Sequence, residues 1–264
     1  MRRLEGKNVL VTGASSGIGQ AIAIRFAAEG ANVAINHRNS AMQAGLTQKS
    51  ALEAGKGGNH ITVQADVAEE AQVKGMFAKV LERFGTLDVL INNAGIQKAC
   101  PSHELETADF DRILGVNLRG PFLCSREALK AFLAAGKGGV ILNNSGVHET
   151  IPKPMYLSYS VSKGGMMNLT KTLALEYACH GIRVNAVGPG AVGTPMNASW
   201  IDNPKAKAEV ESHIPLGRSA EVGEIVAAFA FLASDEAAYI TGQTLFACGG
   251  LTLYPEFRSG WASG

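Results

Sequence analysis

Short runs of aliphatic and β-branched residues alternate along the chain with longer segments whose apolar positions recur every three or four residues. The short runs predict strands at residues 8–12, 32–36, 61–65, 87–92, 140–143, 183–187 and 244–247. The main longer segments predict helices at residues 18–29, 44–54, 69–84, 158–180 and 222–233. Strands that are apolar throughout and separated by helices are typical of a parallel sheet covered on both faces. The pattern predicts an α/β fold with a doubly wound parallel sheet in a single three-layer domain over residues 1–264.

Composition and charge exclude several classes of protein. The 264 residues carry 24 Lys and Arg against 23 Asp and Glu, a formal net charge of +1, so we expect no nucleic-acid partner. No run of 18 apolar residues occurs and the first residues are not apolar, which predicts a cytoplasmic protein without a membrane span. The four cysteines form no CxxC pair or metal spacing, so we expect reduced, mostly buried thiols and no metal. They are Cys100, Cys124, Cys179 and Cys248.

Three of the 31 glycines lie where the first predicted strand turns into the first helix. Gly13, Gly17 and Gly19 allow the backbone to turn sharply and allow a phosphate to approach the helix N-terminus, whose free N–H groups favour anions. The spacing is GxxxGxG rather than the GxGxxG of the Rossmann dinucleotide fingerprint. A tight strand-to-helix turn without a ligand is the alternative interpretation. The flanking strand and helix favour a Rossmann-like phosphate site.

The end of the second predicted strand bears on the cofactor's ribose. A site that prefers NAD usually has a carboxylate there, whereas this chain reads Asn36-His37-Arg38. Arg38 could face the 2′-phosphate of NADP; the alternative is a solvated loop cation. We therefore expect NADP or NAD as cofactor, with NADP favoured.

A series of motifs across almost the whole chain resembles the classical short-chain dehydrogenases/reductases. The motifs are TGASSGIG at 12–19, Asp66-Val67, NNAG at 92–95, Asn117, YSVSK at 159–163 and GPG at 188–190. A particular likeness to bacterial glucose 1-dehydrogenases lies in VHE at 147–149, IP at 151–152, TP at 194–195, GG at 249–250 and YP at 254–255. The resemblance implies an NAD(P)-dependent enzyme that interconverts an alcohol and a carbonyl by hydride transfer.

The resemblance also implies which residues contact the cofactor. They are Gly13, Ser15, Ser16, Gly17, Ile18, Gly19, Arg38, Asp66, Val67, Asn93, Ala94, Gly95, Tyr159, Lys163, Pro189, Gly190, Val192 and Thr194.

Tyr159 and Lys163 are the predicted catalytic pair. Hydride transfer to a carbonyl requires a proton at the oxygen, and a Tyr with a pKa of about 10 needs a neighbouring cation to act as a base. Lys163 lies four residues after Tyr159, hence on the same helix face, and could stabilise the phenolate and bind the ribose hydroxyls. The resemblance implies that Asn117 holds a water that extends the proton relay. Tyr156 is the weaker candidate because Ser160 follows it at that spacing.

The chain departs from the family pattern at two polar positions. The family's catalytic Ser lies thirteen residues before the Tyr, where this chain has Gly146; Ser145 is one residue earlier. Losing one oxyanion donor typically costs about 3–4 kcal/mol in kcat. Either Ser145 substitutes by a local shift, the protein is a weakened nucleotide-binding variant, or the pocket admits a bulkier substrate. Cys248 replaces the Asp that usually precedes the C-terminal glycine pair.

The resemblance implies a small alcohol or carbonyl compound as substrate, with a ketone or 3-oxoacyl thioester as the alternative to a sugar. Gln97 stands where a glucose-type relative offers a Glu, and Gly146 and His148 complete the predicted substrate residues. Residues 191–218 are predicted to form a substrate lid. Family likeness implies a homotetramer, with helices at about 105–135 and 158–180 and the apolar tail 251–261 at its interfaces.

Overall fold

A computed structural model describes residues 3–253, which fold around one parallel sheet of seven strands in the order β3-β2-β1-β4-β5-β6-β7. The strands are β1 Asn8–Val11, β2 Asn32–His37, β3 His60–Gln64, β4 Val89–Asn92, β5 Gly139–Asn144, β6 Ile182–Pro189 and β7 Thr244–Ala247. The predicted doubly wound sheet is confirmed, and each predicted strand lies within two residues of its observed position. The order reverses at β1, because the chain winds outward to β3 and then returns to pair β4 on the other side of β1.

Helices cover both faces of the sheet. They are α1 Gly17–Ala28, α2 Ala41–Gly55, α3 Glu70–Phe84, α4 Thr107–Leu114, α5 Gly120–Ala135, α6 Leu157–Tyr177, α7 Ala198–Ile201, α8 Pro204–Ser212 and α9 Val222–Ala233. Within β1, Val9 and Val11 pack into the core cluster shared with α1, α2 and α9, whereas Leu10 packs into the cluster shared with α3 and α5. Alternation along a strand thus sends an apolar side chain into each layer. Both layers need such side chains, which is why the strands are apolar throughout.

The long helix expected at about 105–135 is interrupted. A π-helical segment, Gly115–Arg119, lies between α4 and α5, and the helical backbone runs through it. Single π turns inside helices occur frequently at functional sites. Asn117 lies in this turn.

The segment predicted as a lid contains two short helices, α7 and α8. Asn203 caps α8, since its side-chain oxygen accepts from the backbone N–H groups of Lys205 and Ala206, and Pro204 occupies the first turn. Asn before Pro at a helix start is a recognisable capping signal. The short, polar segment had not indicated a helix.

The four cysteines are all free, but they are less uniformly buried than expected. Cys124 and Cys248 are buried, Cys100 is half-buried and Cys179 is exposed, so the expectation for Cys179 was wrong. Cys248 lies beside Thr252, with 3.5 Å between its Sγ and the Thr Oγ1. Tyr254, Pro255 and Trp261 of the predicted interface tail lie outside the described residues. No helix within residues 3–253 is long and apolar enough to cross a bilayer.

Candidate active site

A deep crevice of about 770 Å³ opens at the carboxyl ends of the central strands. It extends from the β1–α1 turn across the ends of β4 and β5 to the loops that follow β5 and β6. In an open parallel sheet, the carboxyl edge at the point where the strand order reverses is the usual ligand site. Here that point lies between β1 and β4.

The glycine turn after β1 brings backbone close to the crevice. Gly13 has a φ of +62°, and a side-chain carbon on it would lie 2.8 Å from the Cα of Ala94. A side-chain carbon on Gly19 would lie 2.3 Å from the Asn93 amide nitrogen. Both positions therefore require glycine. The N-terminus of α1 is open to a ligand, since Ser16 makes no capping bond and the first turn carries no acidic residue. This cradle fits the pyrophosphate of a dinucleotide.

A network of short polar side chains holds the turn against the next strand loops. The Thr12 hydroxyl accepts from the backbone N–H of Asn93 at 2.9 Å and of Ala94 at 3.1 Å. The Asn93 amide donates to the carbonyl oxygens of Thr12 and Gly13, and it accepts from the Asn144 amide at 2.9 Å. The network links the loops after β1, β4 and β5. Its hydrogen bonds keep the cradle in a fixed shape.

The edge of the crevice beyond β2 carries an unpaired guanidinium. Arg38 is exposed, lines the crevice and makes no ion pair with any residue between 3 and 253. Asp66, after β3, also lines it, with its carboxylate 2.9 Å from Arg112. Burial would raise the pKa of Asp66, but the Ala68 N–H and the charge of Arg112 lower it overall. Asp66 therefore stays ionised, and the free charge at this edge is positive.

Tyr159 and Lys163 lie one turn apart at the start of α6, and both line the crevice. The Lys163 Nζ lies 5.4 Å from the centre of the Tyr159 ring and donates to the Asn144 carbonyl oxygen at 2.7 Å. Lys163 is 4% exposed. Burial lowers its pKa to about 8, although the charge of Glu149 acts in the opposite direction.

The protonation of Tyr159 differs from the expectation. Burial raises the pKa of the Tyr159 phenol to about 12, and the charge of Lys163 does not offset it. Lys163 had been expected to favour the phenolate, but its ammonium is directed to Asn144 instead. In the crevice as it stands, Tyr159 is a neutral phenol at neutral pH. A neutral phenol is suited to donate a proton to a carbonyl oxygen.

Ser145 is engaged away from the reacting position. Its hydroxyl donates to the Glu149 carboxylate at 2.5 Å, and its N–H donates to the Val187 carbonyl at 2.8 Å. Both side chains are buried. The expectation that Ser145 replaces the missing catalytic Ser therefore disagrees with the structure, because its one proton is committed to Glu149.

Gly146 leaves an open space in front of Tyr159. A side-chain carbon there would lie 3.4 Å from the Tyr159 hydroxyl oxygen and 3.9 Å from the Pro189 carbonyl oxygen. These are ordinary contact distances. The backbone at Gly146 is extended, with φ 169° and ψ 163°, so it does not require glycine.

His148 packs edge-on against Tyr159, with 6.0 Å between the ring centres. Its Nδ1 lies 3.0 Å from the Ile151 carbonyl oxygen, which can only accept, so this nitrogen carries the proton. Burial lowers the pKa of His148, which keeps the ring neutral at neutral pH. Its Nε2 is then an acceptor. His148 can receive a bond from a substrate hydroxyl but cannot donate to a carbonyl oxygen.

Asn117 does not reach the crevice. Its Oδ1 accepts from the Ile96 N–H at 2.9 Å, and its Nδ2 donates to the Ile96 carbonyl at 2.9 Å and to the Ser162 hydroxyl at 3.2 Å. The side chain is fully buried. The side-chain oxygen and nitrogen of Asn117 are thus engaged within the protein, and that Asn117 holds a water of the proton relay stays a prediction. Through Ile96 these bonds position the loop after β4, and through Ser162 they position the helix that carries Tyr159. The Ser162 hydroxyl in turn donates to the backbone carbonyl of Tyr159.

Of the other predicted site residues, all but Gly19 line the crevice, and Gly19 packs directly beneath it against Asn93. Gln97 lies at the substrate end, 3.5 Å from the Met196 carbonyl. The predicted lid contributes Met196, Asn197, Trp200, Val210 and His213 to the lining. Polar residues of the site that had not been predicted include Asn36, whose Oδ1 accepts from the Gly13 N–H, together with Asn144, Glu149 and Lys153. Among residues 3–253, no three His, Cys, Asp or Glu side chains are grouped to hold a metal ion.

Known proteins share both the sequence and the structure. The family described as "Enoyl-(Acyl carrier protein) reductase" matches residues 13–252. The chain is 49% identical over 261 residues to the glucose 1-dehydrogenase of Gluconobacter oxydans (strain 621H), covering 99% of this chain and 97% of that protein. It is 48% identical to the 3beta-hydroxysteroid dehydrogenase 1 of Eggerthella lenta, covering 97% and 98%. A crystal structure of a gluconate 5-dehydrogenase from Burkholderia cenocepacia J2315, in complex with NADP and tartrate, matches with a TM-score of 0.90 at 34% identity, covering 96% of this chain and 98% of that one.

Proposed function

The chain belongs to the short-chain dehydrogenase/reductase family and is an NAD(P)-dependent oxidoreductase that interconverts an alcohol and a carbonyl, and we propose that Tyr159 is its proton donor and acceptor. The observation that carries the proposal is the position of the Tyr159 phenol in the same crevice as the glycine cradle. The nicotinamide of the cofactor supplies or accepts the hydride. Lys163 binds the ribose hydroxyls, and Tyr159 gives its proton to the substrate oxygen during reduction.

The initial-rate panel that tests this function combines NADPH and NADH with D-glucose oxidation, simple ketones and β-ketoesters. Turnover of at least one alcohol or carbonyl with a nicotinamide cofactor is the expected result. Binding of NADPH without turnover anywhere on the panel would favour the alternative, a nucleotide-binding protein weakened at Gly146.

We propose NADP(H) as the preferred cofactor because β2 ends without a carboxylate, Asp66 at the same edge is paired with Arg112, and Arg38 makes no ion pair within residues 3–253. Ser40, which precedes α2, makes no capping bond, and the first turn of α2 has no acidic residue. The open helix N-terminus and the guanidinium both suit a 2′-phosphate.

We predict that Arg38→Ala lowers kcat/KM for NADPH about 10- to 100-fold, the effect of losing a hydrogen bond to a charged group, while NADH changes little. Steady-state kinetics with both cofactors measure it. Lys49→Ala removes an exposed cation from the outer part of α2, away from the crevice, and serves as the control. If Arg38→Ala changed kcat/KM equally for NADPH and NADH, Arg38 would not bind the 2′-phosphate and would be a solvated loop cation.

The lid is a further part of the proposal. Residues 191–218, with α7 and α8, would close over the substrate, since Met196 lies beside Gln97 and Trp200 of α7 and Val210 of α8 also line the crevice. The Trp200 and Met196 side chains would exclude water from the reacting oxygen.

Free thiols at all four cysteines fit a reducing compartment, which supports a cytoplasmic location.

We predict a homotetramer. Exposed apolar side chains lie on the two helices that family likeness assigns to the interfaces, Phe122 and Leu133 on α5 and Val161 and Leu175 on α6; Leu175 is 86% exposed. Apolar side chains on neighbouring surface helices are typical of oligomer contacts. Light scattering should give four times the chain mass of 27.6 kDa. A monomeric mass at micromolar concentration would contradict the prediction.

The two relatives of nearly equal identity are named for a sugar and a steroid, so identity alone does not select the substrate. The substrate preference must therefore depend on the residues that line the crevice. The lining combines His148, an acceptor that packs against Tyr159, with the amides of Gln97 and Asn197 and the side chains of Met196 and Trp200. This mixture suits a substrate with at least one hydroxyl besides the reacting group.

A further inference from the structure

Lys153 is a half-buried cation at the substrate end of the crevice, six residues before Tyr159. Burial lowers the pKa of its ammonium. It makes no ion pair with any residue from 3 to 253; its Nζ lies 3.9 Å from the centre of the Tyr156 ring. A cation that loses hydration without gaining a carboxylate lacks the partner that such groups usually have.

The loop that carries Lys153 is fixed on both sides. The backbone N–H of Ile151 donates to the Val147 carbonyl at 2.9 Å, and that of Tyr156 donates to the Lys153 carbonyl at 3.2 Å. The Met155 carbonyl accepts from the Cys100 N–H at 2.8 Å. Met155 has a φ of +69°, a conformation that L-residues adopt only against a steric cost. The backbone of Lys153 is therefore held beside the crevice rather than in a free surface loop.

The substrate end contains no carboxylate that would compete for this ammonium. The one acidic residue that lines the crevice, within the part of the chain described, is Asp66; it lies at the cofactor end and is paired with Arg112. Two nearby glutamates do not line the crevice. The Glu149 carboxylate accepts a hydrogen bond from the Ser145 hydroxyl, and the Glu209 carboxylate lies 3.5 Å from the His213 Nε2. The free charge at the substrate end is therefore positive.

We infer that Lys153 binds a carboxylate of the substrate, so that the enzyme acts on hydroxy acids and oxo acids in preference to the corresponding neutral compounds. This inference rests on the proposed function of the same crevice. The other lysine that lines the crevice, Lys163, is buried and donates to the Asn144 carbonyl oxygen, so among residues 3–253 Lys153 is the lysine at this end left to bind a carboxylate. One available ammonium matches a single carboxylate, whereas phosphate recognition usually draws on several donors. The Lys153 ammonium would hold the acid group while the carbonyl lies against Tyr159.

The experiment compares 3-, 4- and 5-oxo acids with their methyl esters as substrates of the whole protein, with NADPH. Several chain lengths are used so that one of them matches the separation of Lys153 and Tyr159. We expect kcat/KM to be higher for an acid than for its ester. In Lys153→Met this acid-to-ester ratio should fall about 10- to 100-fold, mainly through KM for the acid, and Lys153→Arg should recover part of it.

Lys137→Met, in the exposed turn before β5, is the matched control and should leave the ratio unchanged. A wild-type ratio at or below one, or a ratio that Lys153→Met does not change, would overturn the inference while the proposed oxidoreductase stands. A phosphorylated ketone preferred over every oxo acid would also overturn the carboxylate assignment. Absence of turnover with all acids, esters and simple ketones would instead contradict the proposed function.

Discussion

Replacing Tyr159 with Phe is expected to lower kcat by about 10³-fold, within the range of general acid–base catalysis. The reason is that, among the described residues, the polar groups next to Tyr159 are not placed to donate a proton in its stead. Ser145 gives its proton to Glu149, Gly146 has no side chain, and the proton of His148 is directed to Ile151. Phe keeps the ring that packs against His148, so the fold and the cofactor site should persist.

Two measurements separate a chemical effect of Tyr159→Phe from a structural one. Fluorescence titration with NADPH should give a dissociation constant close to that of the wild type. Tyr177→Phe, at the far end of the same helix, should keep full activity.

The wild-type rate of alcohol oxidation should rise with pH, since oxidation needs the phenolate and the pKa of Tyr159 is raised. This rise should vanish in Tyr159→Phe. A decrease in kcat of less than tenfold in Tyr159→Phe would contradict the proposal that Tyr159 transfers the proton.

Gly146→Ser is expected to raise kcat/KM by about 10²-fold, the effect commonly measured for one oxyanion donor. The extended backbone accepts Ser without strain, and its Cβ would lie 3.4 Å from the Tyr159 hydroxyl oxygen. The new hydroxyl would therefore face the position of the reacting oxygen beside Tyr159. Neither Ser145 nor neutral His148 provides such a donor.

Gly146→Ala is the matched control because it fills the same space without a hydroxyl. We expect no gain from it, and a loss with bulky substrates. Initial rates of the three proteins on one small and one bulky ketone make the comparison. Equal losses in the Ser and Ala variants would mean that the glycine serves to enlarge the pocket and that a second donor is not needed. Turnover that appears only with Ser would identify the natural chain as a disabled enzyme.

The sheet could be predicted from sequence because its signals are local. Each strand is a short apolar run bounded by turn residues, and β2 was placed within one residue of its observed end at His37. The π turn at Gly115–Arg119 could not be predicted, because one extra residue in a helix turn leaves the apolar pattern almost unchanged. Helix α8 was predictable in principle from its Asn-Pro start.

The polar contacts of the site depend on residues that are remote in sequence. The Asn144 carbonyl oxygen accepts a hydrogen bond from Lys163 of α6, and the Asn144 side-chain amide donates to Asn93 in the loop after β4. Neither bond could be predicted from the residues that flank Asn144 in the sequence. Lys153 resembles a surface loop lysine until the fold places it in the crevice wall. Ser145 is the reverse case: the sequence left it as one candidate to replace the missing Ser, and only the structure shows that its hydroxyl donates to Glu149.

The burial of Lys163 has a consequence for how the stability of the folded protein depends on pH. Since its pKa falls to about 8, the unfolded chain binds this proton more tightly than the folded protein does. Stability is therefore lowered at pH values below about 8 and recovers as the pH rises towards the ordinary pKa of 10.5. A Met of similar length would not carry this cost. Lys163 therefore lowers the stability of the folded protein at neutral pH, and the rest of the fold has to supply the free energy that keeps this ammonium buried beside Tyr159.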